Sequence, residues 1–450
     1  MNKKILFVNP RSKNSPLVLV PPLVLGVLAS YVRKVFPDAE INLVDEIASD
    51  YLTVRDLRRF APDLVAVTCM TEFSYRAYEI ADLARECGIK SVVGGKHPTI
   101  YPEEAAKHFD YVVVGDGEIA LSKIISGKVD KKIISGEYIE DLDEIPPMPW
   151  ELLNTKKYLT VHHRSEFLKT HTPFNRVAYI HTDRGCPNSC IYCYNSLNDY
   201  KKIRYHSPAR VIYEWRYLID NYQPDLISFA DDNLMMNKRR LTEICRLIKE
   251  DNSGVPWDCS ASTNAILANR DILPVMKEAG CRIISIGLES QSGRILKMIK
   301  GSVFSPESNI QAVRACRDNG IKVRGFFMIG IPTETEEELS ETVEYVMKKE
   351  VDYLSLQAVK PYPGTLLWNT CQEMGLIPDG FRWDQFFMYS FHEKFSYQFL
   401  TKVLIDCNHA YIPYTPKRLF KEAMLRPKDA IRKMFGEKDA MAIVRKMFKK

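Results

Sequence analysis

The chain has no uninterrupted apolar run long enough to span a bilayer. One stretch, Ser15 to Val32, is uncharged and rich in Leu, Val and Ala, but Pro21 and Pro22 split it and leave about eleven apolar positions on the helical side, where a span needs roughly 20. A loop followed by a buried helix is expected there. The charged, apolar and small-residue order of a secretory leader is also missing, because Lys3 and Lys4 run straight into the strand-like Ile5 to Val8. A cytoplasmic protein is therefore expected. Glycine and proline are modest, at 21 and 25 of 450 residues, and with 46% hydrophobic and 26% charged side chains the composition excludes disordered, collagen-like and coiled-coil chains. Cysteine does not come in pairs. Eleven are scattered along the chain, which suits intracellular thiols and metal ligands and excludes a small disulfide scaffold. No solenoid repeat is visible.

Positive charge is thin outside the C-terminal forty residues. The net charge is +5, but residues 411–450 hold twelve Lys and Arg against four acids, so the rest of the chain is slightly acidic. No general basic face for nucleic acid follows. From Lys417 onward the pattern fits basic amphipathic helices. These are expected to cover a core with a solvated outer face rather than to dock on an anionic membrane.

What is present is α/β alternation, twice. In residues 1–145, β-branched runs at Lys4 to Asn9, Glu40 to Asp45, Asp63 to Thr68, Ile89 to Val93 and Asp110 to Val114 alternate with helical stretches such as Leu23 to Val35 and Glu72 to Cys87. That order predicts a flavodoxin-like, doubly wound parallel sheet. Such sheets bind ligands beyond the carboxyl ends of their strands. Small residues cluster at those ends, in Gly94-Gly95 and in Gly115-Asp116-Gly117-Glu118. Asp141 to Trp150, with three prolines and three acids, begins a connector taken to run over 146–175. Strands at Arg176 to Thr182, Leu226 to Ala230, Val255 to Ala261, Arg282 to Ile286, Ile321 to Met328 and Tyr353 to Ala358 then predict a partial (β/α)6 barrel over 176–370, short of the eight units that close a full one. A helical, basic C-terminal region over 371–450 follows.

The strongest chemical signal is Arg184-Gly185-Cys186-Pro187-Asn188-Ser189-Cys190-Ile191-Tyr192-Cys193, just after the first barrel strand. Three thiolates within eight residues can hold three corners of a [4Fe-4S] cluster, which normally takes four cysteines, so one iron stays open. A zinc loop completed by Cys245 or Cys259 is the bland alternative. His162, His163, His171 and His181 precede the loop and are read as solvated or packed. The other eight cysteines lie in apolar stretches, where a thiol is commonly a small buried hydrophobe.

The Cys-x3-Cys-x-aromatic-Cys spacing of Cys186, Cys190, Tyr192 and Cys193 resembles the radical S-adenosylmethionine (SAM) superfamily over about residues 176 to 370. The resemblance implies that SAM chelates the open iron and that one electron from the cluster cleaves its sulfonium to a 5′-deoxyadenosyl radical. It also implies Tyr192 and Gly330 of Gly330-Ile331-Pro332 near the adenine, and Asp231 or Asp232 at the methionine amino group. Ser262, Asn264 and Glu289 are implied near the ribose and methionine ends. Neighbouring residues on an extended segment point to opposite sides, so at most one of Asp231 and Asp232 is expected to face the ligand, the other suiting a helix N-cap.

The first domain is similar to the cobalamin-binding domain that precedes many such enzymes. Thr68-x-Met70 and Gly94-Gly95 stand for two parts of its pattern, with His97, Gly115, Gly117 and Glu118 as further candidate contacts. The third part, a loop Asp-x-His-x-x-Gly, is replaced by Asn9-Pro10-Arg11-Ser12-Lys13-Asn14. That favours a corrinoid whose cobalt has no protein imidazole. The family reading implies a methyltransferase acting on an unactivated carbon, with a flavodoxin- or ferredoxin-type electron donor. Its substrate would be a small molecule, a lipid, or a peptide or protein side chain. Enzymes with both cofactors but no net methylation, and a non-catalytic corrinoid carrier or sensor, are the alternatives. A methylthiotransferase would want a second three-cysteine cluster in the first domain, where only Cys69 and Cys87 occur.

Overall fold

The computed structural model describes residues 3–11, 20–160, 173–197 and 202–411. Ser12 to Asn14, His162, His163, His171 and the basic stretch from Lys417 lie outside the described residues. The first sheet comprises β1 (Lys4–Asn9), β2 (Glu40–Asp45), β3 (Leu64–Thr68), β4 (Lys90–Gly94), β5 (Tyr111–Val114) and β6 (Ile133–Ser135). All pairs are parallel, in the order β2-β1-β3-β4-β5-β6. The order reverses around β1, the flavodoxin-like arrangement. Both faces of the sheet are covered, which is why β1 reads as an almost continuous apolar run. Leu6, Val8, Val65, Val67 and Val93 pack with Ala77, Ile80 and Ala84 of the helix Ser74–Glu86. On the opposite face, Ile5, Phe7, Ala66, Val92 and Val113 meet Leu25, Ala29 and Val32 of the helix Leu23–Val35, and Leu121 of Glu118–Ile125. The five strands expected are there. The sixth, β6, was not anticipated, because three half-exposed residues give too short a pattern to register.

The second sheet holds β7 (Val177–Ile180), β10 (Leu226–Phe229), β11 (Trp257–Ala261), β12 (Cys281–Glu289), β13 (Lys322–Ile329) and β14 (Tyr353–Ala358), all parallel and in sequential order. This is the curved half-barrel. Between β7 and β10 the chain makes a two-residue antiparallel ribbon of β8 (Asp183–Arg184) and β9 (Arg204–Tyr205), which encloses the three-cysteine segment. Ile284, Ile286, Leu288, Val323, Phe327 and Ile329 face the helical layer. On the other face, the half-buried Arg324 donates to Ser285 Oγ at 3.2 Å and pairs with Asp258 at 3.6 Å, tying β11, β12 and β13 together. The helices start on side-chain caps: Ser207, Asn237, Ser262, Ser292, Ser305 and Thr335 each accept a backbone N–H from the first turn. Among the barrel's helices, Thr263–Ala268, Gly293–Lys300 and Leu366–Glu373 were not anticipated. They are six to eight residues long, under the window in which helical periodicity is visible.

The connector is docked along the barrel. Glu214 accepts from Trp150 Nε1 at 2.7 Å and from Met148 N at 2.9 Å, and Arg210 donates to the carbonyl of Ile145. Asp143 accepts from Ser207 N and lies 3.0 Å from His206 Nδ1. No described helix is long and apolar enough to cross a membrane.

Two outcomes follow from this packing. Gly95 has φ +111°, and a Cβ there would stand 2.7 Å from the carbonyl oxygen of Cys69, so Gly95→Ala should cost at least about 2 kcal/mol in chemical denaturation. Burial pushes His206 down from 6.5 to about 4, outweighing its hydrogen bond with Asp143. The neutral imidazole is thus the folded form. The stability it contributes is complete above pH 6.5 and disappears as pH falls through about 4. Unfolding titrations over that window should show a shallower acid decline for His206→Gln than for the parent.

Candidate active site

Glycine at 185, with φ +109°, turns the chain out of β8 into the cysteine loop. The loop is anchored through Ile191, whose N–H donates to the carbonyl of Ile299 at 2.9 Å while its carbonyl accepts from Leu367 N at 3.0 Å. Ile191 and Tyr192 also pack on Ile295, Ile299, Ile331, Val359 and Leu367. One residue is thus bracketed by the end of one helix and the start of another. Cys190 is buried, and Cys186 and Cys193 are half-buried. Burial is the main force pushing all three thiols up, Cys186 to about 11, and Cys186 and Cys190 feel the charge of the other loop thiols as well. Three thiolates side by side are therefore stable only around a cation that displaces their protons.

The spacing of the sulfurs bears on which cation. Zn–S bonds of ~2.3 Å place tetrahedral thiolates about 3.8 Å apart. Among the described residues, the one trio of His, Cys, Asp or Glu whose ligand atoms all lie within 4.8 Å is His181, Asp183 and Asp231. The three cysteine sulfurs are spread more widely than that. The donor set fits a cluster whose corners are separate irons and does not fit a single zinc ion. Cys245 and Cys259, which a zinc loop would need, are fully buried beside each other in the barrel core.

The Asp231-Asp232 pair divides as the extended backbone requires, but neither residue is a helix cap. Asp231 is buried and turned inward, with Oδ1 accepting from Thr182 N at 2.5 Å and from Asp183 N at 3.0 Å, and Oδ2 accepting from Thr182 Oγ1. It ties β10 to the end of β7. Asp232 faces the cysteine loop, where Asn195 Nδ2 donates to it at 2.7 Å and its charge raises Cys186 and Cys193. The N-cap of the following helix is Asn237. Glu289 is buried at the end of β12 beside a register shift, and its Oε1 accepts from Tyr192 Oη at 2.9 Å. Ser262 Oγ accepts from Asn233 Nδ2 at 3.0 Å and caps the helix Thr263–Ala268, in whose first turn Asn264 lies half-buried. Gly330, with φ +72°, donates its N–H to Glu334 at 2.7 Å. Burial pushes Glu334 up to about 8.

In the first domain, Thr68, Met70 and Gly94 are half-buried at strand ends. Gly94 and Gly95 lead from β4 into the turn that backs onto Cys69. Gly115 has φ +90°, and a Cβ there would meet nothing within 4 Å, whereas Gly117 packs close to Leu28. Open space beside Gly115 suits a flat, bulky ligand such as a corrinoid. His97 is enclosed: its Nε2 lies 2.9 Å from Tyr78 Oη and 3.4 Å from Glu104, and Tyr101 and Trp383 flank the ring. Glu118 is also engaged, since Arg184 Nη2 donates to its Oε1 at 2.6 Å.

That last contact belongs to a clamp the sequence reading missed. Arg184 also reaches Asp116 at 3.2 Å, and Arg204 reaches the same carboxylate oxygen at 2.8 Å. Both strands of the ribbon thereby grip the loop after β5. Tyr194, one residue past the last cysteine, lies 3.0 Å from Thr71 Oγ1 and stacks near Tyr362. Glu72 faces the same region, raised by burial and with Oε2 unpartnered. The signals were present, Arg184 beside Gly185-Cys186 and Asp116 in a Gly-Asp-Gly-Glu turn, but their pairing joins residues 68 and 88 positions apart.

Comparison with known proteins agrees with this geometry. Residues 180–346 match the radical SAM superfamily and residues 18–125 match the B12 binding domain. An uncharacterised methyltransferase of Pyrococcus horikoshii is 34% identical over 81% of this chain and 82% of its own. The bacteriochlorophyllide d C-8(2)-methyltransferase of Chlorobaculum tepidum is 29% identical over 79% of this chain and 77% of its own. The solved structure of the radical SAM methyltransferase TsrM from Kitasatospora setae, with cobalamin and a [4Fe-4S] cluster bound, superposes with a TM-score of 0.68 at 17% identity, covering 93% of this chain and 92% of that one. The chain belongs to the cobalamin-dependent radical S-adenosylmethionine enzymes.

Proposed function

We propose that this protein is a cobalamin-dependent radical SAM methyltransferase that methylates an unactivated carbon, drawing electrons from a low-potential flavodoxin- or ferredoxin-type donor in the cytoplasm. The observation that carries the reading is the clamp of Arg184 and Arg204 on Asp116 and Glu118. It fixes the cysteine loop against the carboxyl end of the first sheet, so that a group held by the cysteines and a group held over Gly94, Gly95 and Gly115 share one space. When bound, the cluster supplies a low-potential electron to SAM, and the corrinoid supplies a carrier for the methyl group.

The protein's own residues do the positioning. Cys186, Cys190 and Cys193 would hold the cluster, and Asp232 would accept from the methionine ammonium of SAM. Tyr192, Glu289, Ser262, Asn264 and Gly330 would line the rest of that ligand. Asp231 would act one step back, by fixing the start of the cysteine loop through Thr182 and Asp183. Thr68, Met70, Gly94, Gly95, Gly115 and Gly117 would border the corrinoid. His97 and Glu118 would brace that border from behind, because His97 Nε2 is already engaged by Tyr78 and Glu104 and Glu118 Oε1 by Arg184. With no histidine in the described part of the β1 loop, Asn9 to Arg11, the cobalt would lack an imidazole from that loop.

Anaerobic reconstitution with cobalamin and methyl-deuterated SAM, presented with small-molecule, lipid and peptide fractions, tests the reaction. Label should appear on a carbon of one product, with S-adenosylhomocysteine and 5′-deoxyadenosine formed alongside it. 5′-Deoxyadenosine accumulating with product but without S-adenosylhomocysteine would overturn methylation. The two aspartates should separate in the same protein. Asp232→Asn should weaken SAM binding about tenfold, the worth of one charge-assisted hydrogen bond, with cluster iron unchanged. Asp231→Asn should instead lower cluster loading and thermal stability.

A further inference from the structure

Lys300 is the last residue of the helix Gly293–Lys300, and its side chain is 4% exposed. A lysine on a helix surface normally runs its stem over apolar neighbours and leaves the ammonium in water. This one turns inward. Nζ donates to the carbonyl of Gly287 at 2.6 Å, lies 3.8 Å from Glu289 Oε1 and sits 4.4 Å over the ring of Phe304. Glu289 in turn accepts from Tyr192 of the cysteine loop, and the carbonyl of Ile299, the residue before Lys300, accepts from Ile191 N. Ammonium, carboxylate and phenol thus form a chain ending two residues from Cys190. The ammonium favours the thiolate of Cys190 and the Glu289 carboxylate opposes it.

Two opposite charges held out of water, one of them bonded to Tyr192 of the cysteine loop, act on a group held by that loop with little screening. Net charge and hydrogen bonding near the sulfurs are among the protein's means of setting a cluster's reduction potential. We propose that Lys300 is a positioning residue that aims Glu289 and, with it, sets the reduction potential of the cluster at Cys190. The inference rests on the cluster reading above. Adding an electron to the cluster makes its surroundings more negative, so a nearby ammonium favours the reduced form and a nearby carboxylate disfavours it.

The test is a redox titration of the reconstituted protein without SAM, followed by electron paramagnetic resonance at alkaline pH so that Glu289 is ionised. Lys300→Met keeps the stem and removes the charge, and should shift the midpoint to more negative potential. Lys300→Arg should titrate close to the parent. Glu289→Gln leaves the ammonium unopposed and should shift the midpoint the other way. An unchanged midpoint in Lys300→Met, or equal shifts in Lys300→Met and Lys300→Arg, overturns the proposal in favour of a purely structural tie to Gly287. Should Lys300→Met fail to take up a cluster, the sign of the Glu289→Gln shift decides, and no shift or a negative one overturns it. A parent protein without a cluster signal would refute the cluster reading instead, so the two failures are distinguishable.

Discussion

Everything at this site depends on one guanidinium spanning two carboxylates of another domain. Arg184 is 19% exposed and Glu118 is 3% exposed, so their pairing costs a large share of its Coulombic gain in lost hydration. A hydrophobic contact would serve stability as well. What an ion pair adds is direction, because a planar fork meets a carboxylate at a fixed angle. Arg204 from the facing strand of the ribbon uses the same Asp116 oxygen, so the loop between them cannot tilt without breaking both contacts. On the proposed function, two cofactors held by separate sheets would have to meet within bonding reach, and the clamp is where the fold would provide that.

The site is held from the other side by packing rather than charge. Ile191 is bonded at both its amide and its carbonyl to the barrel helices, and Tyr192 reaches down to Glu289 at the carboxyl end of β12. The segment that carries the thiols is thereby fixed at its base by Asp231 through Thr182 and Asp183, at its middle by Ile191, and at its far end by Tyr194 against Thr71. Those ties hold the three cysteines on one loop, while burial favours their protonated form until a cation displaces the protons.

Much of this was legible before any coordinates. Alternating apolar runs such as Ile5 to Val8 and Val65 to Val67 are buried on both faces and identify their strands without help from neighbours. The cysteine spacing is equally local. What could not be read were features made by pairs distant in sequence: the partner of Glu118, the choice between Asp231 and Asp232, and the enclosure of His97 by Tyr78, Glu104 and Trp383. The sequence limited the aspartates to one facing the ligand, since neighbours in an extended chain diverge. Which one turns inward is decided by Thr182 donating to Asp231 from the adjacent strand end. Short helices escaped for another reason: Gly293–Lys300 shows too few turns for a period to be counted, although Ser292 is a proper cap for it.

Backbone strain marks the same place by an independent route. Among the described residues, seven other than glycine have positive φ: Ala61, Asn154, Gln223, Asn252, Glu289, Thr333 and Lys349. Ala61, Gln223 and Asn252 end helices, where a left-handed residue satisfies a leftover carbonyl. Glu289 and Thr333 have no such excuse. They follow consecutive barrel strands, and a β-branched threonine at φ 70° is a true outlier. Glycine at either position would take up this conformation without the steric cost. Keeping a carboxylate at 289 in the left-handed region places its oxygen between Tyr192 and Lys300, and Thr333 in the same conformation offers its hydroxyl and carbonyl to Arg294. At Glu289, which Tyr192 of the cysteine loop contacts, the chain accepts the conformational cost, as expected where geometry, not stability, is being selected.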